Sequence, residues 1–158
     1  MTARRISRGT QKRWSELRRV TIAAVLAAIA LFTGPAVRAA DMRVTLTLDG
    51  RPISTRPATA LMRGGVLFVD AVDMTRVFDG LLVFERNGIR ISVRGHSESF
   101  RVGQHVAVVD QTNVKLQGAP FDYNGDIFVP LSTIIDADPA LRLTWVNQHH
   151  ADLHINAF

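Results

Sequence analysis

Apolar and polar residues alternate along much of the chain after residue 40, and this spacing predicts strands. Val44, Leu46 and Leu48 are separated by polar residues, which is the period of a strand with one buried face. Asp49-Gly50 follows and favours a type I′ hairpin turn. Residues 66–69 form a continuous apolar run, which is typical of a central strand. Most signals in this part of the chain are therefore those of strands.

Two short segments have the apolar spacing of helices, and each follows an apolar strand directly. In the first, Asp70 is suited to cap the helix and Gly80 to end it. In the second, Pro130 is suited to the first helical turn. Both predicted helices lead into hairpins, at residues 81–93 and 141–155.

The two helical segments belong to a repeated phrase. RGGVLFVDAVDMTRV, at 63–77, and NGDIFVPLSTIIDA, at 124–137, are similar at a period near sixty. The matched pairs include Gly65 with Gly125, Phe68 with Phe128 and Val69 with Val129. Such units bury their apolar faces only by packing together. We therefore predict an α+β fold: a twisted antiparallel sheet from two duplicated strand-helix-hairpin units, with one short helix in each.

Residues 1–39 have the parts of a secretory signal peptide. A basic segment runs to Arg19, an apolar segment covers 20–32, and Val37 and Ala39 occupy the −3 and −1 positions of a predicted cleavage after Ala39. The apolar segment would span about 20 Å as a helix, less than the ~30 Å core of a bilayer. We predict a cleaved leader and a secreted or periplasmic protein. An uncleaved leader, the second interpretation, would be its one membrane contact.

After the leader, residues 40–158 are predicted to form a single domain. Its two repeats cover about 44–98 and 104–156. The chain has no cysteine, which excludes a disulfide framework and a lipoprotein anchor.

The net charge of +5 belongs to the leader. Of the 19 basic residues eight precede Ala40, and of the 14 acidic residues only Glu16 does, so the remainder has 11 basic and 13 acidic residues. Nucleic-acid binding requires a basic face on the folded domain. We therefore predict no nucleic-acid partner.

A family resemblance follows from the order of these features. The Asp49-Gly50 hairpin, a proline-containing crossing, NGDIFVPLSTI at 124–134 and Trp145 before a final hairpin together resemble the copper amine oxidase N-terminal-like domain, or stalk domain. The resemblance covers about residues 44–155, although the first copy has Asp70 in place of the proline and Phe84 in place of the tryptophan. It implies a peripheral module without the copper and quinone chemistry of the oxidases.

The C-terminal hairpin contains a candidate metal site. His150, Asp152 and His154 occur at a period of two and would lie on one face of a strand. Imidazole and carboxylate ligands suit copper or zinc. The alternative interpretation is the polar outer face of a final strand.

Arginines around the first long hairpin form a candidate contact face, made of Arg90, Arg94 and Arg101. Arg90 and Arg94 would share one strand face. Such a face could bind an acidic protein or an anionic polysaccharide of the envelope. An ordinary charged surface is the alternative interpretation.

We predict that the chain is not an enzyme. Ser97 follows His96 in GHSES, but the motif lacks the GxSxG elbow, and strand neighbours point to opposite faces. The patterns together predict an exported, non-catalytic binding or structural module of the cell envelope, without a cofactor. The alternative is a periplasmic copper- or zinc-binding protein that uses its C-terminal histidines. The sequence does not indicate an oligomeric state.

Overall fold

The computed structural model describes residues 41–53 and 60–156. These residues form thirteen strands and two short helices. The strands are β1 (Met42–Leu48), β2 (Arg51–Pro52), β3 (Ala60–Arg63), β4 (Val66–Asp70), β5 (Leu81–Glu85), β6 (Gly88–Val93), β7 (His96–Arg101), β8 (Val106–Val109), β9 (Thr112–Lys115), β10 (Phe121–Tyr123), β11 (Asp126–Pro130), β12 (Leu141–Asn147) and β13 (His150–Ile155). The helices are α1 (Ala71–Val77) and α2 (Leu131–Ala137).

Eight strands form the larger sheet, in the order β10-β11-β4-β3-β1-β13-β12, with β2 paired to β1. β1 pairs with β13 in parallel, from Thr45 opposite His150 to Leu48 opposite Leu153. The other pairs in this sheet are antiparallel. The first strand of the described chain is therefore joined directly to the last.

The smaller sheet is an antiparallel meander of five strands, β5-β6-β7-β8-β9. Ile89, Ile91 and Phe100 are fully buried on its inner side, whereas Arg90 is exposed on the other side. This alternation gives the sheet an apolar inner face and an outer face open to solvent.

The predicted α+β fold class is wrong. Strands account for 58% and helices for 13% of the described residues, and the strands form two sheets, so the fold is mostly β. The two predicted units do not share one antiparallel sheet, because β5 and β6 belong to the smaller sheet whereas β12 and β13 belong to the larger one. The parallel pair of β1 and β13 departs from the prediction as well.

Both helices begin where the sequence predicts them. Oδ1 of Asp70 accepts hydrogen bonds from the backbone N–H groups of Val72 (2.8 Å) and Asp73 (3.4 Å), which caps α1. α2 begins directly after Pro130. Met74 of α1 and Leu131 of α2 are buried in a core that also contains residues of both sheets. The two sheets and the two helices therefore share one hydrophobic core.

The predicted leader, residues 1–39, lies outside the described residues. In the part of the chain that the structure describes, no helix has the length and apolarity needed to cross a membrane. The described chain repeats the element order hairpin, helix, hairpin, at β3–β6 and at β10–β13. Duplication of a unit stays a prediction, and so do the limits of the two repeats.

Candidate functional site

The outer face of the five-stranded sheet contains a shallow depression with a volume of about 480 Å³. The strand register places Arg90, Ser99, Val108 and Asn113 in one row across β6, β7, β8 and β9. Arg101 and Val106 line the same depression nearer to the β7–β8 turn. We call the surface formed by these six residues the outer face.

Arg90 is held in place on the outer face by two contacts. Its Nη2 donates to Oε1 of Glu85 at 2.6 Å, and its Nε donates to Oγ of Ser99 at 3.2 Å. These contacts come from the neighbouring strands β5 and β7, so the guanidinium is oriented across the sheet before any partner binds. The Glu85 carboxylate also compensates the charge of Arg90.

Arg101 is exposed and differs from Arg90 in its surroundings. It borders the depression of the outer face and a second depression of about 490 Å³, which Phe84, Arg86 and Gln104 also line. Among residues 41–53 and 60–156, no acidic side chain forms an ion pair with Arg101. A guanidinium presents five N–H donors in a planar fork that matches a carboxylate. Arg101 therefore presents a guanidinium that no described carboxylate compensates.

Apolar side chains lie beside these arginines. Val106 is 50% exposed and Val108 is 39% exposed, and Ser99, Gln104 and Asn113 add polar groups to the same depression. The surface thus combines positive charge, hydrogen-bonding groups and apolar contact area. This combination fits a partner that carries both carboxylates and apolar surface.

Arg94 does not belong to the outer face. It lies in the turn between β6 and β7 with a φ of 49°. The alternation of side chains along β6 therefore does not extend to Arg94. Its Nε donates a hydrogen bond to Oδ2 of Asp138, directly after α2. Burial acts to raise the pKa of Asp138, but the Arg94 hydrogen bond and the Ala140 N–H outweigh it, so the pKa lies below its ordinary value. Arg94 therefore connects the smaller sheet to the end of α2.

The structure brings His150, Asp152 and His154 to one face of β13, as their spacing predicts. Strand β1 and the β1–β2 turn add neighbours: Oγ1 of Thr47, in β1, donates to Oδ1 of Asp152 at 2.6 Å, and the N–H of Gly50, in the turn, donates to the same oxygen at 3.1 Å. Nε2 of His150 lies 3.0 Å from Oγ1 of Thr47. These bonds give the cluster a structural role, because they tie the turn to β13.

His154 lies near two carboxylates. Its Nδ1 is 3.4 Å from Oδ1 of Asp49, and its Nε2 is 3.5 Å from Oδ2 of Asp152. The hydrogen bond from Thr47 and the one from Gly50 lower the pKa of Asp152 below its ordinary value. Among the described residues, no group of three or more His, Cys, Asp and Glu side chains has the arrangement of a metal site. The predicted copper or zinc site stays a prediction.

Glu98 is an unusual residue that the sequence reasoning missed. It lies on the inner face of β7, opposite Ile91 and Val109, and is fully buried. Neither carboxylate oxygen has a hydrogen-bond partner among the described residues. Burial raises the pKa of Glu98 to about 7; His96 acts against this rise and Asp110 adds to it. The signal that could have found Glu98 is its alternation with Phe100, which places both side chains on one face.

His96 and Asp110 form a pair at the edge of this region. Nδ1 of His96 lies 2.7 Å from Oδ2 of Asp110, and the N–H of Ser97 donates to Oδ1 of Asp110 at 2.8 Å. The His96 hydrogen bond and the Ser97 N–H lower the pKa of Asp110. The Ser97 backbone, rather than its hydroxyl, makes this contact. These contacts join the start of β7 to the end of β8, and the described residues place no base on the Ser97 hydroxyl.

Comparison with known proteins gives no relative: no family model matches the chain, and neither a curated protein nor a solved structure matches it. The resemblance to the copper amine oxidase N-terminal-like domain therefore stays a prediction from sequence.

Proposed function

We propose that this protein is an exported, non-catalytic binding module of the cell envelope, and that it binds an anionic polysaccharide through the outer face. The observation that carries the proposal is Arg101, an exposed guanidinium at the junction of two depressions with no acidic partner among the described residues. Arg90 lies nearby with its orientation already held by Glu85 and Ser99.

The local charge supports an anionic partner. Arg86, Arg90 and Arg101 line the two depressions together with one acidic residue, Glu85. The chain after residue 39 has 13 acidic and 11 basic residues. The excess of arginine is therefore local to the two depressions, whereas the domain as a whole is slightly acidic. A single exposed ion pair contributes only about 0–1 kcal/mol. A polymer with repeated carboxylates can engage several of these groups at once, which raises the overall affinity.

The shape of the surface supports binding rather than catalysis. The outer face is an open sheet surface with exposed Val106 and Val108, whereas acid–base catalysis needs groups placed within hydrogen-bond distance of a bound substrate. The hydrogen-bonded pair of His96 and Asp110 joins the start of β7 to the end of β8 and does not line the depression of the outer face. A long open face suits the extended chain of a polysaccharide.

Calorimetric titration of the purified protein with polygalacturonate tests the proposal. Polygalacturonate carries a carboxylate on every sugar, and neutral dextran is the matched control ligand. We expect binding of polygalacturonate and no binding of dextran. Arg101→Ala should weaken the binding about tenfold, which corresponds to about 1.4 kcal/mol.

Arg142→Ala is the matched control variant, because Arg142 is also exposed but lies on β12 in the larger sheet. It should bind polygalacturonate as the wild type does. Equal losses in both variants would indicate attraction by charge in general and would contradict the proposed face. Absence of binding in the wild type, together with capture of an acidic protein from envelope extracts, would replace the polysaccharide with a protein partner. Mass spectrometry of the secreted protein tests export. The measured mass should correspond to a chain that begins at Ala40.

A further inference from the structure

Five strands of the two sheets pair on one side only, and four of them have features that hinder further pairing. β2 has two residues and ends at Pro52. β10 has three residues, and β9 has four and ends at Lys115. β12 has an irregular register between Trp145 and Asn147. Short strands, lysine and bulges are the means by which proteins keep sheet edges from pairing with other chains.

The fifth of these strands, β5, has none of these features. Its five residues, LLVFE, pair regularly with β6, and four of the five are apolar. Leu81 is 62%, Val83 is 42% and Phe84 is 68% exposed. The one charged residue, Glu85, is occupied by its ion pair with Arg90. An exposed apolar edge of this kind is expected to pair with another strand.

The backbone of β5 offers hydrogen-bonding groups to such a strand. Glu85 pairs with Gly88 across a two-residue turn, so Leu81, Val83 and Glu85 direct their N–H and C=O groups toward β6. The backbone groups of Leu82 and Phe84 point the other way. Among the described residues, β6 is the only strand that pairs with β5.

The residues of β5 are complementary to a second copy of themselves. In an antiparallel pair about a two-fold axis at Val83, Leu82 lies opposite Phe84 of the second copy, and these are the two residues whose backbone groups point outward. Arg86 follows the strand at one end and Asp79 precedes it at the other, so the axis brings opposite charges together at both ends. We propose that two copies of this chain pair through β5 to form one ten-stranded sheet.

This pairing would also join the two outer faces. A two-fold axis perpendicular to the sheet keeps equivalent faces on the same side, so Arg90 and Arg101 of both copies would lie on one continuous surface. The proposed dimer does not rest on the proposed polysaccharide binding. The mass of the protein in solution tests the dimer, whereas ligand titration tests the binding, so failure of one can be distinguished from failure of the other.

Analytical ultracentrifugation of the purified protein tests the pairing. The wild type should sediment at twice the chain mass at tens of micromolar. Val83→Lys places two like charges opposite each other at the axis and should weaken association at least tenfold. An equimolar mixture of Val83→Lys and Val83→Glu should recover the dimer, because the charges at the axis are then opposite.

Val146→Lys is the matched control, because Val146 is 58% exposed on the outermost strand β12. It should leave the dimer unchanged. A monomeric wild type at these concentrations, a dimer that survives Val83→Lys, or a mixture that stays monomeric would each overturn the proposal.

Disulfide cross-linking gives a second test that does not depend on the folding of the lysine variant. The chain has no cysteine, and directly opposed residues in such a strand pair are about 4.5 Å apart between Cα atoms, within the reach of a disulfide. Val83→Cys should therefore form a covalent dimer on mild oxidation, whereas Val146→Cys should not. Equal cross-linking of both variants, or none in Val83→Cys, would reject an axis at Val83.

Discussion

Val69 of β4 and Val129 of β11 lie directly opposite each other in the antiparallel pair that these two strands form in the larger sheet. Both side chains are fully buried, and a seven-residue helix begins two residues after each. The register is symmetric about this pair, since Phe68 lies opposite Pro130 and Asp70 opposite Phe128. The two similar segments of the sequence therefore meet through equivalent strands.

This symmetry predicts matched effects of two substitutions on stability. Val69→Ala and Val129→Ala each remove two buried methyl groups, and each should lower the free energy of unfolding by about 2 kcal/mol. Because the two side chains are neighbours, the double variant should deviate from the sum of the single effects. Urea unfolding measures all three, with the exposed Val146→Ala as a control that should change little. Unequal losses in the two single variants would contradict an equivalent role for the two strands.

Glu98 predicts a dependence of stability on pH. Its pKa is about 7 in the folded protein and about 4.5 when the side chain is in water, so between these values the folded state holds a proton that the unfolded state has released. Stability should therefore fall by about 1.4 kcal/mol per pH unit from about 4.5 to 7 and by about 3 kcal/mol in all, and should not fall further above 7.

Glu98→Gln isolates this contribution, because the amide stays neutral at every pH. The variant should be similar to the wild type at pH 5 and more stable at pH 8, as measured by urea unfolding at a series of pH values. Glu85→Gln, a change of the same type on the exposed side of the sheet, should leave the pH profile unchanged. Parallel profiles for the wild type and Glu98→Gln would exclude a raised pKa at Glu98.

The two ion-paired arginines of the smaller sheet should differ in their effect on stability. Asp138, the partner of Arg94, is buried, whereas both side chains of the pair of Arg90 with Glu85 are more exposed than those of the Arg94 pair. Loss of one partner from a shielded pair leaves an uncompensated charge. Arg94→Ala should therefore lower the melting temperature clearly and Arg90→Ala only slightly. Equal shifts in differential scanning calorimetry would contradict this distinction.

The hydrogen bonds around the candidate metal residues should prevent tight binding of zinc or copper. The side chains of His150 and Asp152 already take part in hydrogen bonds with Thr47 of β1 and with Gly50 of the β1–β2 turn, so a metal would have to displace those bonds. We expect zinc and copper to bind the wild type no more tightly than they bind His154→Ala in titration calorimetry. Stoichiometric binding that His154→Ala abolishes would instead support the metal-binding alternative.

Local features of the fold could be predicted from sequence because a few adjacent residues determine them. Asp70 caps α1 as its side-chain chemistry indicates, and Asp49 and Gly50 have the positive φ values, 48° and 75°, of the predicted turn. The division into two sheets could not be predicted in this way. It depends on contacts such as that of Thr47 with Asp152, which are 105 positions apart.

Gly80 shows that a residue can be required by a contact with a distant strand, which local sequence does not indicate. Gly80 was expected to end α1 in a left-handed conformation, but Asp79 has that conformation, with a φ of 50°. A Cβ at Gly80 would lie 2.4 Å from the carbonyl oxygen of Ser92, so the glycine allows β6 to approach. That requirement comes from the packing of a distant strand and leaves no local pattern in the sequence.

The candidate site was predicted in part for a similar reason. The structure places two of the three predicted arginines, Arg90 and Arg101, on the outer side of the smaller sheet, whereas their role in binding stays a prediction. Arg94 was assigned to the same face because the strand was assumed to continue, whereas the turn begins there. Glu98 was missed because a glutamate in a polar run suggests an exposed position, although its alternation with Phe100 assigns it to the inner face of β7.

Amide chemical-shift mapping of the ¹⁵N-labelled protein during titration with polygalacturonate tests the central claim most directly. Binding through the outer face predicts that the largest shifts occur at Arg90, Ser99, Arg101 and Val108, and that Arg101→Ala needs about tenfold more polygalacturonate to reach them. Shifts concentrated at residues 150–154 of β13, or shifts that Arg101→Ala leaves unchanged, would contradict the assignment of the outer face as the binding surface.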